Sequence, residues 1–531
     1  MVYLSRHSHA KADEFPVFIK SMSIKTLIAR FDPRNRSADF QRGVLNAGSN
    51  LTAYLVYPVL WFLSTPVFVA RLGIQHFGIW MLVNSVLGFG GIMEFGLTDA
   101  TVKYVAQYRV RNDAGGVRRT VSTTLAMYCL LGASGGLIIF FLAPFLCGGV
   151  FRLEAADVPL ATAAMRIGAL GLLARFFDSV FESAFYGYER YDVAARVTIA
   201  AQATTILINI GLVLTGHGLR AVIATTVTIL FISGFTKYLT LRTKLVPGLR
   251  ILPRIYWHSL REITGFGVYR WLESLLNIVN SNVDRFLIAS YIGPAAVAYY
   301  TVALQLARQV HAVLARASAF LFPFSASLFE QKDYVRLRRL YVKSTLLVIV
   351  LSVGFILPLF LCGEQLLTLW MSEEFAVQAY VVLQIVCIRY VLSPMGIINH
   401  NFLLGAGLVK IQTVMAYLNV PIMIAGMFIL IPRMGIAGAA TGLLLTIPFM
   451  LFIRIYVDRR LFNVSSFWGQ FSYFLPAVIP FAAAYLFRRV YVLPLNNWFT
   501  LILGAGIIGA AGVLLAAAIG TVCQKMKLIP E

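Results

Sequence analysis

The segment Phe77–Tyr108, "FGIWMLVNSVLGFGGIMEFGLTDATVKYVAQY", decides the fold. It opens with an apolar run long enough to cross about 30 Å of hydrocarbon as a helix, and such runs recur from about residue 44 onward. Of the 531 residues, 59% are hydrophobic and only 13% are charged, and the mean hydropathy is +0.78. Soluble domains are about a quarter charged. The sequence therefore predicts an all-α polytopic membrane protein.

The apolar runs predict about fourteen transmembrane helices. They are too long for the alternating strands of a membrane barrel. The predicted spans lie near residues 44–70, 77–102, 120–145, 158–185, 194–215, 220–241, 263–288, 295–325, 343–364, 377–403, 411–432, 434–455, 468–487 and 498–521.

Short loops without a soluble domain predict five segments. These are a basic cytoplasmic arm at 1–43, an N-lobe of spans 1–6 at 44–242, an inter-lobe loop at 243–262, a C-lobe of spans 7–12 at 263–456, and spans 13–14 with a tail at 457–531. Within the arm, Phe15–Phe31 is either an amphipathic helix on the membrane surface or a loose basic tail. The arm is polar and precedes a long span, so we expect no cleavable signal peptide.

The basic residues behind the formal net charge of +22 lie mainly in alternate loops and at the two termini. Lys and Arg concentrate in the N-terminal arm, in the loops after spans 2, 6 and 8, and in the tail, whereas the alternate loops hold few. This bias predicts that both termini are cytoplasmic and suits the anionic inner leaflet. Nucleic-acid binding is not expected, because no basic stripe with interleaved aromatics occurs on a soluble module.

The two halves of the chain resemble each other at an offset of 220 residues. Equivalent loops pair at this offset: Gly73 with Gly293, Arg118-Arg119 with Arg338-Arg339, and Gly187 with Gly407. Matches in three equivalent loops predict two parallel repeats of about six spans each. That plan is typical of transporters, with the substrate held between the repeats.

Polar side chains form stripes on two of the most central spans. An ionisable group in a span is costly unless it faces protein or water, so its default interpretation is functional. The stripe on span 7 holds Arg270, Glu273, Asn277, Asn280, Ser281 and Asp284, and the stripe on span 8 holds Thr301, Gln305, Arg308, Gln309 and Arg316. The alternative is a polar seam that joins the two spans. Span 8 disfavours the seam, because its two arginines have no carboxylate beside them.

Spans 4 and 10 add further charges. Span 4 carries Arg166, Arg175, Asp178 and Glu182, and Arg175 can pair with Asp178 three residues on. The Glu182 carboxylate is either functional or solvated at the interface. Span 10 carries Arg389, Ser393 and His400, of which we expect His400 to be a packing or seam residue rather than a proton relay.

The mid-membrane charges leave a surplus of arginine, which fits an anionic substrate, because guanidinium groups match phosphate oxygens. We predict a substrate-binding cavity formed by Arg270, Arg308, Arg316, Arg175, Arg389, Asn277 and Gln305. The candidate coupling or cavity acids are Glu94, Asp284, Glu273 and Asp178.

The two carboxylates of the opening segment have different roles. Asp99 lies four residues before Lys103, and an interfacial ion pair explains it. On one continuous helix, Glu94 lies about 7.5 Å deeper by helix rise, and it shares a face with Thr98 and Thr101. No basic residue follows within a turn of Glu94, so it needs a partner from another helix, a proton or a functional role.

Catalytic chemistry finds no support in the sequence. The chain holds no phosphate-binding loop, zinc-protease motif or nucleophile elbow, and its five cysteines lack metal-ligand spacing, with no disulfide expected between Cys147 and Cys362. We therefore expect neither an enzyme nor a metal site.

Two alternative functions remain. A polysaccharide polymerase or ligase is disfavoured by the short outer loops, and a membrane scaffold is disfavoured by the polar stripes.

The chain resembles the Wzx-type O-antigen and exopolysaccharide flippases of the MATE-like superfamily. The stretches that carry the resemblance are the opening segment with Glu94, Gly96, Leu97 and Lys103, "FYGYERYDVAARV" at Gly187, "NVDRFLIASYIG" with Asp284, Arg285 and Gly293, and "FPFSASLFEQKDYVRLRRLY" with Pro323 and Arg338-Arg339. The resemblance implies two six-helix lobes in a V around a central cavity, plus two C-terminal helices.

The resemblance also implies a function. The substrate would be an undecaprenyl-diphosphate-linked oligosaccharide moved from the inner to the outer leaflet of the bacterial inner membrane, for lipopolysaccharide or exopolysaccharide. We expect no cofactor, coupling to a proton or sodium gradient, a monomer, and contact with membrane lipid and with other export and polymerase proteins. The alternative within the superfamily is an ion-coupled multidrug exporter. Span 1 lacks the acid that such exporters often carry there, which disfavours that alternative.

Overall fold

The computed structural model describes residues 58–245, 251–462, 472–490 and 497–526, together with Val56 and Leu495. The regular elements of this described part are all helices. The predicted arm at 1–43, including Phe15–Phe31, lies outside it. The N-lobe helices are α1 Pro58–Leu72, α2 Ile74–Phe89, α3 Leu97–Val110, α4 Ala114–Phe145, α5 Val158–Gly187, α6 Tyr191–Leu214 and α7 Leu219–Thr240.

The second half of the chain repeats this order with more breaks. The C-lobe helices are α8 Trp257–Tyr291, α9 Pro294–Ala317, α10 Leu321–Glu330, α11 Tyr334–Trp370, α12 Glu373–Leu392, α13 Pro394–Gly405, α14 Val409–Met434, α15 Ile436–Leu444 and α16 Ile447–Phe462. Two further helices follow the repeats and pack on α11: α17 Leu475–Val490 and α18 Trp498–Lys525.

The described helices make this a multi-pass membrane protein. Ten described spans, each a single helix or two adjoining helices, are long and apolar enough to cross a bilayer. Helices α9 and α10, which are bent by 40° relative to each other, would together form an eleventh span. The apolar helices Pro58–Leu72 and Leu475–Arg488 are shorter. Helix α8 occupies predicted span 7. It is not among the ten, because its polar stripe lowers its mean hydropathy. The count of about fourteen spans stays a prediction.

The two halves also share backbone conformations at the offset of 220 residues. Gly73 and Gly293 both adopt positive φ, 81° and 128°, and each precedes the second long helix of its lobe. Asn112 and Lys332 are both left-handed, with φ of 54° and 58°. Each stands before an aspartate whose side chain accepts from a backbone N–H of the next helix. Two N-caps and two left-handed residues at one spacing identify a duplicated fold.

The pairing of Gly187 with Gly407 needs correction. The left-handed residue after α5 is Glu189, with φ of 57°, and its counterpart after α13 is Gly407, with φ of 69°. The offset has therefore shortened to 218 by this loop. A fixed offset fails here because the helix breaks of the C-lobe change the number of residues in each span.

The lobes meet at one end of the bundle, the outer end in the predicted topology. Helices α2 and α9 approach so closely that a Cβ on Gly78 would lie 1.9 Å from the backbone oxygen of Pro294. The backbone N–H of Arg152 donates to Ala289 O at 3.1 Å. The Trp370 indole of α11 donates to Phe62 O of α1 at 2.9 Å. These contacts close the outer end.

Gly78 offers a test of this closure. We expect the G78L variant to force α2 and α9 apart, because a side chain has no space against a backbone carbonyl. A cysteine placed beside the contact, A295C, should then react with a soluble maleimide roughly tenfold faster, since overpacking costs about 1–3 kcal/mol. G211A is the control, because nothing lies within 4 Å of its added Cβ. Equal labelling of both variants would show that this contact does not hold the end shut.

Candidate functional site

The two lobes diverge toward the end opposite to the α2–α9 contact. Helix α9 is almost wholly buried as far as Leu304 and becomes exposed on one side from Gln305 onward. Helix α8 shows the mirror pattern, with Asn277 exposed and Asp284 buried nearer its outer end. We name the space beside these exposed faces the inter-lobe cavity.

Arg308 identifies what fills the inter-lobe cavity. It is exposed, and it lies about 21 Å along α9 from Pro294 by helix rise, which is deep within a membrane-spanning helix. An arginine cannot face hydrocarbon at this depth without a large cost. Arg308 therefore faces water, and the cavity it borders is aqueous.

A histidine one turn further on joins Arg308 to another helix. The Nδ1 atom of His311 lies 2.7 Å from Ser393 Oγ, in the break between α12 and α13. Its ring centroid is 5.4 Å from that of Tyr390. The cations that act on His311 are Arg389 and Arg308. Three groups from α9 and α12 therefore form one cluster, which we name the cationic cluster: Arg308, His311 and Arg389.

Arg389 leaves part of its guanidinium unsatisfied. The group lies 5.0 Å from the Tyr390 ring centroid. Its Nε atom is buried and has no hydrogen-bond partner among the described residues. Nor does any described carboxylate lie within salt-bridge distance of Arg308 or Arg389. Buried donors of this kind cost free energy unless an acceptor reaches them, so the cluster favours an anion with several oxygens.

The other predicted cavity residues are spread more widely. Gln305 is half-buried and lies one turn before Arg308, and Arg316 is exposed two turns after it. The side chains of Arg270 and Glu273 lie outside the described part of the chain. Arg175 is exposed on α5 of the other lobe, and no described contact joins it to the cationic cluster. The structure thus groups Arg308 with Arg389 and leaves Arg175 apart.

Asp284 belongs to a seam between α8 and α9. Its carboxylate accepts from the Tyr300 hydroxyl at 2.8 Å and from the Arg285 backbone N–H at 2.8 Å. Arg285 in turn donates to Thr301 Oγ1 at 3.3 Å. Both Asp284 and Tyr300 are buried. For this part of the stripes the alternative interpretation, a polar seam, is the one that the contacts favour.

The predicted pairing of Arg175 with Asp178 is wrong. Lys237 of α7, which is fully buried, donates to Asp178 Oδ2 at 2.7 Å and to Glu182 Oε2 at 2.8 Å. Ser233 donates to the second oxygen of Asp178 at 2.8 Å. Helix α5 turns both acids toward α7, so Asp178 and Glu182 are two ligands of one buried ammonium group. Periodicity along span 4 could not show this, because the partner comes from span 6.

Glu94 stands at a break in the second span. The segment Gly90–Glu94 is a 3₁₀ turn, and Phe95 and Gly96 are left-handed, with φ of 49° and 66°, before α3 begins. The prediction of one continuous helix through Glu94 is therefore wrong, and so is the shared face derived from it. Glu94 is half-buried and interacts electrostatically with Tyr128, whose hydroxyl lies 2.8 Å from Thr98 Oγ1.

The same break contacts the other lobe. The Trp271 indole of α8 donates to Ile92 O, and its ring stacks on Phe95 at 5.1 Å between centroids. A broken helix exposes backbone carbonyls, and here a side chain from the opposite lobe satisfies one of them. Glu94 therefore lies within a few residues of an inter-lobe contact.

The start of α8 is tied to the N-lobe at the inner end. Tyr108 of α3 donates to Glu262 Oε2 at 2.9 Å. Burial, together with this hydrogen bond to Glu262, raises the pKa of the Tyr108 phenol above its ordinary value. The backbone N–H of Arg254 donates to Ser122 O at 3.3 Å, which anchors the loop before α8. These two contacts join the inner end of α8 to the N-lobe.

Three further groups were missed by the sequence analysis: His311, Lys237 and Arg454. Arg454 of α16 is fully buried, and its guanidinium lies 4.2 Å from the Tyr341 ring centroid and 3.9 Å from that of Tyr473. It donates to Asp458 at 3.3 Å. Lys237 and Arg454 lie at equivalent positions, in the last span of their respective lobes. A search of the two repeats for cations at equivalent positions within spans could have identified both.

His400 is exposed and lies 3.2 Å from Gln412 Oε1, a local polar contact between α13 and α14. Within the residues that the structure describes, no group of His, Cys, Asp and Glu could hold a metal ion. All five cysteines are free thiols.

Comparison with known proteins places this geometry in context. Residues 68–379 match the family described as "Polysaccharide biosynthesis protein". A Shigella flexneri protein described as "Putative O-antigen transporter" is 20% identical over 402 residues, which cover 75% of this chain and 93% of that protein.

Solved structures share the fold. The lipid II flippase MurJ in an inward closed conformation aligns with a TM-score of 0.65 at 11% identity, over 91% of this chain and 99% of that one. An inward-facing multidrug resistance MATE family transporter of the MOP superfamily aligns with a TM-score of 0.63 at 16% identity, over 79% of this chain and 100% of that one. At these identities the likeness is one of fold.

Proposed function

The chain belongs to the polysaccharide biosynthesis protein family, and we propose on this premise that it is a flippase for a lipid-linked oligosaccharide. The substrate would be an undecaprenyl-diphosphate-linked oligosaccharide, carried from the inner to the outer leaflet. The observation that carries the proposal is the cationic cluster, which combines two arginines without a described carboxylate partner and a histidine at the wall of an aqueous cavity. The relative described as an O-antigen transporter and the fold shared with a lipid II flippase support it.

The geometry suggests how the cycle would run. The diphosphate enters the inter-lobe cavity from the inner side, and Arg308 and Arg389 bind its oxygens while the lipid tail stays in the bilayer. Guanidinium forks suit two adjacent phosphates better than a point charge does. The contact between Gly78 and Pro294 then separates as the lobes rock outward about the fixed site. Glu94, at the break in the second span, is our candidate for the group coupled to a proton or sodium gradient.

We place the protein in the bacterial inner membrane with both termini cytoplasmic. The excess of Lys and Arg in alternate loops supports this orientation. In it, the α2–α9 contact is periplasmic and the inter-lobe cavity opens to the cytoplasm, where lipid-linked oligosaccharides would be completed. We propose a transporter rather than an enzyme, active as a monomer beside other export and polymerase proteins.

Reconstituted vesicles test the proposal directly. We expect full-length protein in liposomes to move a fluorescent undecaprenyl-diphosphate oligosaccharide between leaflets, measured by quenching with dithionite, faster than empty vesicles do. An undecaprenyl monophosphate with the same sugar should move more slowly, because it offers fewer oxygens to the cluster. Transport of ethidium under an ion gradient, with no movement of the labelled lipid, would instead identify a multidrug exporter.

A further inference from the structure

A second basic site lies where the ends of two C-lobe helices meet the end of α18. A cavity of about 690 Å³ is bordered by the first three turns of α11, the end of α16 and the end of α18. The cations on its wall are Arg338, Arg339 and Lys343. None of the three residues of the cationic cluster borders it, so it is separate from the site proposed for transport. Its volume is within the range of small-molecule sites.

The charged residues of this corner are mostly basic. Residues 334–343 contain four cations and no acid. The last turn of α16 adds Arg459 and Arg460, both exposed. The acids nearby in the chain are engaged elsewhere: Asp333 caps α11 and pairs with Arg336 at 3.3 Å, and Asp458 pairs with the buried Arg454. The described surface of this corner therefore carries an excess of positive charge, which attracts an anion.

The rest of the wall is apolar. Val335, Val342, Leu461 and Phe462 lie beside the three cations. The ligand that fits must combine a negative group with hydrocarbon. A free inorganic anion would leave the apolar half of the wall in contact with water.

The position in the membrane identifies the class of ligand. In the proposed orientation, the start of α11 and the ends of α16 and α18 lie on the cytoplasmic side, where the apolar stretch of α11 begins just after Lys343. Basic pockets between transmembrane helices on this side bind the head groups of anionic lipids. We propose that this cavity binds the phosphate head group of an anionic phospholipid of the inner leaflet, with its acyl chains against the apolar wall. The proposal depends on the orientation, but not on the identity of the transported substrate.

Native mass spectrometry of the full chain tests this site. The protein is purified in detergent with equal amounts of phosphatidylglycerol and phosphatidylcholine, which share acyl chains and differ in net charge. We expect wild type to retain phosphatidylglycerol over phosphatidylcholine by about tenfold, since each nearby Lys or Arg strengthens contact with an anionic lipid. The R338Q/R339Q/K343Q variant should lose this preference, and the R339Q/K343Q variant, which keeps the half-buried Arg338, should lose part of it.

The repeat provides a matched control. Arg118 and Arg119 are the N-lobe counterparts of Arg338 and Arg339, both are exposed, and neither borders the cavity. Arg111, seven residues before Arg118, is also exposed and does not border the cavity. The R111Q/R118Q/R119Q variant therefore removes the same charge and should keep the preference. An equal loss in this control, or no loss in the first variant, would overturn the proposal. So would displacement of phosphatidylglycerol by one equivalent of undecaprenyl diphosphate, because the pocket would then belong to the transported lipid; retention would support a bilayer phospholipid.

Discussion

The R308A variant should lose surface polysaccharide while the protein stays in the membrane at its normal level. Arg308 faces the aqueous cavity and contributes to no described salt bridge, so its removal leaves the fold intact. A diphosphate would lose one of its two guanidinium contacts. Once the substrate excludes water from the cluster, removing one partner of such a charge pair costs about 2–5 kcal/mol, so transport should fall by roughly 30-fold or more. The measurement is surface polysaccharide in a strain that lacks the chromosomal gene, with membrane protein quantified in parallel.

Companion variants separate charge from geometry. R389A should resemble R308A, whereas R308K should keep part of the activity, because a lysine supplies charge without the bidentate fork. R166Q is the matched control: Arg166 is an exposed arginine of α5 whose Nε lies 3.4 Å from Phe140 O, away from the cluster. Normal export by R308A, or an equal loss in R166Q, would remove the cationic cluster from the transport path.

Much of the fold could be predicted from the sequence, because hydrocarbon imposes a length and a hydropathy on every spanning helix. The repeat could also be predicted, because turns with positive φ favour glycine, and Gly73 and Gly293 occupy equivalent turns of this kind. The helix break at Gly90–Gly96 could not be predicted from the sequence. Apolar residues continue through it, and the left-handed Phe95 is stabilised by Trp271 from the opposite lobe, which no local pattern reveals.

The site was only half predictable. Helical periodicity places Arg308 on a polar face, and composition implies that its partner is an anion. His311 lies outside the arc of that face, because a residue three positions on is rotated by about 60° from Arg308. Its importance comes from its contact with Ser393, which lies in the break between α12 and α13. Contacts between spans carry the information that a single helix lacks, and the same is true of Lys237.

Lys237 was missed because it stands near the end of an apolar span, where a lysine usually reaches toward water. Its ammonium group is instead wholly buried between Asp178 and Glu182. Counting charges along single spans therefore gave Asp178 the wrong partner, Arg175, and kept it as a candidate for coupling. The packing of α5 on α7 gives both acids a structural role instead.

The largest effect on stability should follow from K237A. Without the ammonium group, the buried carboxylate of Asp178 and the half-buried carboxylate of Glu182 face each other on successive turns of α5. Among the described residues, Ser233 and Tyr186 still donate to them. Breaking a buried ion pair from one side costs about 3–5 kcal/mol. We expect K237A to unfold at a markedly lower temperature in detergent, measured by fluorescence-detected size exclusion after heating, and to accumulate poorly in the membrane.

A compensated variant distinguishes this role from coupling. K237M/D178N/E182Q removes all three charges together, and neutral groups of similar volume often replace a buried ion network with little loss. We expect it to regain most of the stability that K237A loses and to transport, because none of the three residues contacts the cationic cluster. A compensated variant that is stable yet fails to transport would return Asp178 to the coupling path. A K237A variant that melts with wild type would show that the buried triad does not hold α5 and α7 together.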